Sequence, residues 1–300
     1  MSLAQFRRMS LVVALLLAGL ALGGCALFEK SPSLLNARSF KIPSIALPPD
    51  AIVLDVVYVE RPVGDLLLGP KLWYGVDEIA AVEPEHRAVI RTNGFRVGTV
   101  GSNPPPELQQ MLGLKSEFAY EPKAEKLKQL VGHRYVVRSG AHQEIQASGM
   151  RPECSIETAN GSDVKRRAFE NALCKYRVTA ERLQDGWVQL DFVPQIHHGQ
   201  EQLRRDVGEG GWQFTPRQRT ETMFPQRFSV RLSVGEMAVL TSTDDCDGKL
   251  GGLFFRGPSA MAPPEASGHQ PDGEENSPNA SDVQRLLIVR LATVNTPENK

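Results

Sequence analysis

Residues 174–196 read CKYRVTAERLQDGWVQLDFVPQI, and this stretch decides the fold class. Apolar side chains occupy alternate positions on both sides of a polar centre: Tyr176, Val178 and Ala180 before it, then Val188, Leu190 and Phe192 after it. Such alternation places one set of side chains on each face of a β-strand. Asp185-Gly186 between the two runs is a strong turn signal. The stretch therefore predicts an antiparallel hairpin that buries one face.

Further strands are predicted on both sides of this hairpin. Residues 135–138 and 144–147 are short candidates, and Asn160-Gly161-Ser162-Asp163 predicts a turn. Residues 227–234 and 237–242, joined at Gly235-Glu236, predict a second hairpin, and residues 283–294 predict a long last strand. Residues 257–282 are rich in proline and acidic residues and contain neither Lys nor Arg, which predicts a disordered acidic loop.

The part of the chain before residue 132 mixes helix and strand patterns. Residues 52–60 (IVLDVVYVE) and 95–100 predict strands. Helices are predicted around Leu72, from Pro84 to Asn93, around Leu108 and over 122–131. We therefore predict an α+β fold in two domains, a small α/β module over residues 51–131 and a mainly antiparallel β-domain over residues 132–300.

The N-terminus has the pattern of an export signal. Arg7 and Arg8 precede the apolar run Leu11–Leu22, which is too short to span a ~30 Å hydrocarbon core as a helix of roughly 20 residues. Leu22-Gly23-Gly24-Cys25 resembles the lipobox of bacterial lipoproteins. The resemblance implies a signal peptide over residues 1–24, a lipid-modified Cys25 and an outer-membrane anchor. Residues 25–50, with four prolines, are then a linker.

Five elements in the C-terminal half resemble the β-domain of secretins, the ring-forming outer-membrane channels. They are a strand running into Val193-Pro194-Gln195-Ile196, the strands around Gly235-Glu236, Leu250-Gly251-Gly252-Leu253-Phe254, and Leu286-Leu287-Ile288-Val289. Residues 199–226 are polar and Arg-rich and do not supply two strands with an outward apolar face. The resemblance therefore implies a shortened secretin-like sandwich, without a full pore.

The N-terminal part carries a second resemblance. The segments RPVGD (61–65), LWYGVDE (72–78) and RTNGFRVG (91–98) look like those of uncharacterised lipoproteins from planctomycete-type bacteria, and this resemblance implies no activity.

Three cysteines remain besides Cys25. Cys154 and Cys174 lie on either side of the turn at residues 160–163 and form the predicted disulfide, which an extracytoplasmic compartment would permit. The alternative is three unpaired thiols, with Cys246 as the third, because sequence alone cannot fix connectivity.

Motifs for catalysis or cofactor binding do not occur in the sequence. It contains no GxSxG, HExxH, CxxC or complete P-loop pattern. His197 and His198 are adjacent, so a strand would point them to opposite faces and away from a shared metal. A net charge of −1 gives no case for nucleic-acid binding. Arginines are frequent in two strand regions and are expected on solvated faces: Arg204, Arg205, Arg217, Arg219, Arg227 and Arg231.

These patterns lead to a prediction of function. We expect a non-enzymatic outer-membrane lipoprotein, without metal or cofactor, that serves as an accessory or structural component of an envelope assembly or secretion complex. Its expected partners are the membrane, through the lipid anchor, and either further copies of itself or an envelope complex. The alternative is a monomeric lipoprotein that binds a small ligand or cell-wall fragment.

Overall fold

The computed structural model describes residues 47–113, 130–208, 211–258 and 282–295. Strands dominate, and the named strands pair antiparallel. The strands are β1 Ala51–Pro62, β2 Phe95–Val100, β3 Leu130–Arg138, β4 His142–Gln146, β5 Arg151–Asn160, β6 Asp163–Arg182, β7 Val188–Gly208, β8 Gly211–Thr222, β9 Phe228–Leu232, β10 Met237–Ser242, β11 Arg256–Gly257 and β12 Val283–Val294. The helices are α1 Pro70–Tyr74, α2 Pro84–Thr92, α3 Pro106–Met111 and α4 Leu250–Phe255.

The strands form two sheets. The first has the order β2-β10-β12-β1-β3, with β11 added beside β12. The second has the order β4-β6-β7-β8, with β5 beside β6 and β9 beside β7. The first and last strands of the described chain, β1 and β12, are therefore neighbours in the interior of the first sheet.

A hydrophobic core joins the inner faces of the two sheets. Ile52, Leu54 and Val56 project from β1 at every second position, and Tyr176 and Phe192 meet them from the second sheet. Tyr176 is fully buried and contacts the rings of Phe95, Phe192, Phe228 and Phe254. The sheets thus form a sandwich, because period-two alternation gives each strand one apolar face.

The opposite face of the first sheet is also buried. Val59, Val239 and Ile288 form a second cluster with Leu72 of α1 and Leu108 of α3. These two helices begin at Pro70 and Pro106, because the first residue of a helix has no intrahelical acceptor for an N–H, which proline lacks. Three layers result: helices, the first sheet and the second sheet. The predicted α+β fold class is confirmed.

The predicted hairpin over residues 174–196 is also confirmed. β6 and β7 pair from Cys174↔Ile196 to Arg182↔Val188. Asp185 and Gly186 between them both have positive φ, at 61° and 81°, as a two-residue turn matching the strand twist requires.

The second predicted hairpin is wrong. β9 pairs with β7 in the second sheet, whereas β10 pairs with β12 and β2 in the first. Gly235-Glu236 therefore carries the chain from one sheet to the other. The predicted turn is present, since Glu236 N–H donates to the carbonyl oxygen of Ser233, but the two strands that it connects lie in different sheets.

The predicted boundary between residues 131 and 132 is also wrong. It falls inside β3, and strands from both sides of it share the first sheet. The described residues on both sides of it belong to one compact unit. The helix predicted over 122–131 lies mostly outside the described residues, and residues 130–131 belong to β3. The signal peptide, most of the linker and most of the acidic loop also lie outside them.

Candidate functional site

The residues predicted for lipidation and for a disulfide have different outcomes. Cys25 lies outside the described residues. Cys154 is partly buried, Cys174 is buried, and both are free thiols, as is Cys246. The predicted disulfide is wrong because the β5–β6 register sets Phe169, not Cys174, opposite Cys154.

None of the three thiols has the environment of a nucleophile. Burial raises the pKa of Cys174 to about 12. Burial also raises the pKa values of Cys154 and Cys246 above the ordinary value. All three are therefore protonated at neutral pH, whereas the reactive form of cysteine is the thiolate.

His197 and His198 occupy separate environments in β7. The ring of His198 lies edge-on to Phe169, with 5.0 Å between centroids. His197 Nε2 is buried and has no hydrogen-bond partner in the described part of the chain. Burial, followed by the neighbouring Lys175, lowers the pKa of His197. Among the described residues, no group of three or more His, Cys, Asp or Glu side chains is arranged to hold a metal ion.

The second sheet carries an extension that shows one prediction to be wrong, namely that residues 199–226 do not supply two strands with an outward apolar face. We call it the β7–β8 arm, and it comprises residues 199–208 and 211–222. Pairing between β6 and β7 ends at Leu173↔His197, whereas pairing between β7 and β8 continues to Gly208↔Gly211. The arm therefore has only two strands beyond residue 198. Both of its edges lack a strand partner within the residues that the structure describes.

One face of the arm exposes large apolar side chains. Leu203, Trp212 and Phe214 are 71%, 67% and 66% exposed. Their register positions, with Leu203 opposite Pro216 and Arg205 opposite Phe214, place them on the same face. The Arg205 guanidinium lies 5.0 Å from the Trp212 ring centroid, which is a cation–π distance.

The base of the arm is fixed to the sandwich. Gln218 Nε2 donates to the carbonyl oxygens of Asn171, at 3.0 Å, and Gly199, at 2.9 Å. Arg167 of β6 forms an ion pair with Glu221 of β8. The arm is thus a supported projection with an apolar face and open edges. A contiguous exposed apolar surface of this kind marks interaction sites in soluble proteins.

A groove lies on the outer face of the first sheet, beside α3. Its volume is about 680 Å³, and its lining includes Val57, Ile288 and Leu112. Arg134 and Asp55 pair at its rim, with 2.7 Å between Nε and Oδ1. An apolar floor with a charged rim is the usual form of a small-molecule site.

The described helices do not include one with the length and apolar character needed to cross a membrane.

Comparison with known proteins gives little similarity. No protein-family model matches the chain, and no curated protein matches it. Among solved structures, a weak match is the cryoEM structure of the type IV competence pilus secretin PilQ of V. cholerae. The identity is 13% and the TM-score is 0.22 over 83% of this chain. The chain spans 61% of the length of that structure. A TM-score this low carries no argument about fold or function.

Proposed function

We propose that this protein is a non-enzymatic, lipid-anchored component of a cell-envelope assembly, and that the β7–β8 arm joins it to a second copy of itself. The observation that carries the proposal is the pair of open strand edges next to the exposed face of Leu203, Trp212 and Phe214. Exposed strand edges pair readily with other strands unless they are blocked.

The charge of the arm favours a second copy over an anionic membrane surface. The arm's charge is nearly balanced, with four basic residues, Arg204, Arg205, Arg217 and Arg219, against three acidic ones, Glu201, Asp206 and Glu221. A surface that binds anionic lipid carries an excess of Lys and Arg. A mixed surface instead offers both signs of charge to an identical partner.

Mass measurement of the detergent-extracted full chain tests this role. We expect a dimer or larger oligomer for the natural sequence. Trp212→Ala/Phe214→Ala should weaken association about a hundredfold, because two lost apolar contacts are worth about 3 kcal/mol together. The matched control is Trp187→Ala/Phe224→Ala, which removes the same residue types from positions 42% and 57% exposed outside the arm. A monomer at all concentrations, or equal weakening by the control, would contradict the proposal.

The lipid anchor belongs to the same proposal and has its own test. Two or three acyl chains on Cys25 would hold the protein stably on a bilayer, since each buried methylene contributes ~0.8 kcal/mol. Metabolic labelling with an alkyne fatty acid should mark the natural chain and a Cys154→Ser control, but not Cys25→Ser. Mass spectrometry should find the mature chain beginning at Cys25. Labelling of Cys25→Ser would refute the anchor.

The groove beside α3 favours a second candidate function, which is the binding of a small amphipathic ligand by a monomer. Val57 and Ile288 would contact the apolar part of such a ligand, and Arg290, which also lines the groove, its polar part. The same mass measurement separates the two functions, because this one requires no self-association.

A further inference from the structure

A second cavity lies where β5 meets the segment that leads into α4 and β11. Its volume is about 380 Å³, within the range that small ligands occupy. Three basic side chains line it, Arg151, Lys249 and Arg256, together with the acidic Asp247 and Asp282. We call it the basic cavity.

Arg151 brings a partly buried guanidinium to this cavity. Its Nη2 atom is buried and has no hydrogen-bond partner in the described part of the chain. The guanidinium packs against the backbone of Gly257, where an added Cβ would lie 2.4 Å from Nη2 and 3.0 Å from Cζ. Gly257 also has a φ of +138°, which disfavours any other residue. The backbone at residue 257 is therefore shaped to leave room for Arg151.

Arg256 is only partly satisfied. Its Nη1 atom donates to Asp247 at 3.1 Å, and its Nη2 atom donates to the carbonyl oxygen of Asp244 at 3.0 Å. Its Nε atom is buried and lacks a partner among the described residues. A guanidinium keeps its charge at every physiological pH, so deprotonation cannot relieve either arginine.

The other groups around the cavity do not supply the missing acceptor. Asp247 already pairs with Arg256, and Asp245 pairs with Lys249 at 2.6 Å. Asp282 forms no ion pair with Arg151 or Arg256 in the described residues. Cys154 and Cys246 also line the cavity, but burial raises the pKa of both thiols, so neither is an anion at neutral pH.

We infer that the basic cavity binds an oxyanion, the phosphate or carboxylate group of a small ligand, through Arg151 and Arg256. Buried guanidinium N–H groups are normally hydrogen-bonded, and oxyanions are the acceptors that match their geometry. The site is distinct from the β7–β8 arm, so it can be correct even if the protein is a monomer.

The test measures thermal unfolding of the detergent-extracted full chain with increasing inorganic phosphate and, separately, acetate, at constant ionic strength. We expect a saturable rise of the unfolding midpoint with at least one of them, and the one that acts identifies the group. Arg151→Met should weaken this response at least tenfold. Gly257→Ala should do the same by displacing Arg151. Arg138→Met, which removes an exposed arginine of β3, should leave the response intact.

The unfolding midpoint measured without anion distinguishes an arginine that binds a ligand from one that only stabilises the fold. If Arg151 serves to bind a ligand, Arg151→Met should leave the midpoint without anion unchanged or higher, because it removes a guanidinium whose Nη2 atom is buried and lacks a partner among the described residues. A lower midpoint together with an unchanged anion response would overturn the inference. So would a natural chain that responds to neither anion.

Discussion

Two charged side chains lie almost entirely out of water at the centre of the first sheet. Glu60 of β1 and Arg285 of β12 are opposite each other in the register, with 2.8 Å between Oε1 and Nε. Their side chains are 3% and 5% exposed. Arg285 also donates to the carbonyl oxygen of Pro258. The pair therefore joins three segments that are remote in sequence.

Removal of one member should cost more than removal of both. Arg285→Met removes the buried cation that pairs with Glu60, and we expect a loss of about 3–5 kcal/mol in the free energy of unfolding. Glu60→Leu/Arg285→Met should recover most of that loss, because both members of the buried ion pair are removed together. Urea denaturation measures both effects.

The control is the ion pair between Arg134 and Asp55, in which Arg134 is 68% exposed. Arg134→Met should cost much less than Arg285→Met, because the charge of Arg134 is exposed to solvent. If the double variant were as unstable as Arg285→Met alone, the loss would come from packing and not from charge.

Of the two predicted hairpins, the one formed by β6 and β7 is confirmed and the one formed by β9 and β10 is not. β6, the Asp185-Gly186 turn and β7 follow one another, so local pattern and turn chemistry specify the hairpin. β9 and β10 also adjoin, yet each pairs with a distant strand. Their sequences differ: apolar and polar residues alternate in β9 (FSVRL), whereas β10 (MAVLTS) begins with four consecutive apolar residues. A continuously apolar strand indicates burial on both faces, as between two layers.

The β7–β8 arm was missed because its residues are mostly polar. A signal was nevertheless present in the sequence. Glycines 208, 210 and 211 indicate a turn, and large side chains occupy every second position before it (Leu203, Arg205 and Val207) and after it (Trp212 and Phe214). The basic cavity offered no comparable signal. Arg151 and Arg256 are far apart in sequence, and only the tertiary fold places both beside one cavity.

The turn between β6 and β7 permits a prediction free of packing effects. Gly186 has a φ of 81°, and an added Cβ would meet nothing within 4 Å. Gly186→Ala should therefore lower the free energy of unfolding by about 1 kcal/mol through backbone strain alone. Gly101→Ala is the control, since its Cβ also enters open space but its φ lies outside the left-handed region. Equal losses in urea denaturation would disprove the turn conformation.

For the whole molecule, the sheet order predicts which fragments can fold. β1 pairs with β12, and β2 pairs with β10, so residues 51–131 alone lack the partners of both strands. We expect a fragment of residues 51–131 to have the circular dichroism of an unfolded chain, whereas residues 47–295 fold. Cooperative thermal unfolding of the shorter fragment would show that residues 51–131 fold on their own, as the predicted boundary after residue 131 requires.

The pairing of β1 with β12 has a consequence for how the protein is made. Ile52 lies opposite Val294, and Asn295 Nδ2 donates to the carbonyl oxygen of Pro48 at 2.9 Å. The interior of the first sheet therefore stays incomplete until the ribosome has synthesised residues 283–294. Contacts so distant in sequence also slow folding. The second sheet, whose strands all lie within residues 142–232, does not wait for this segment.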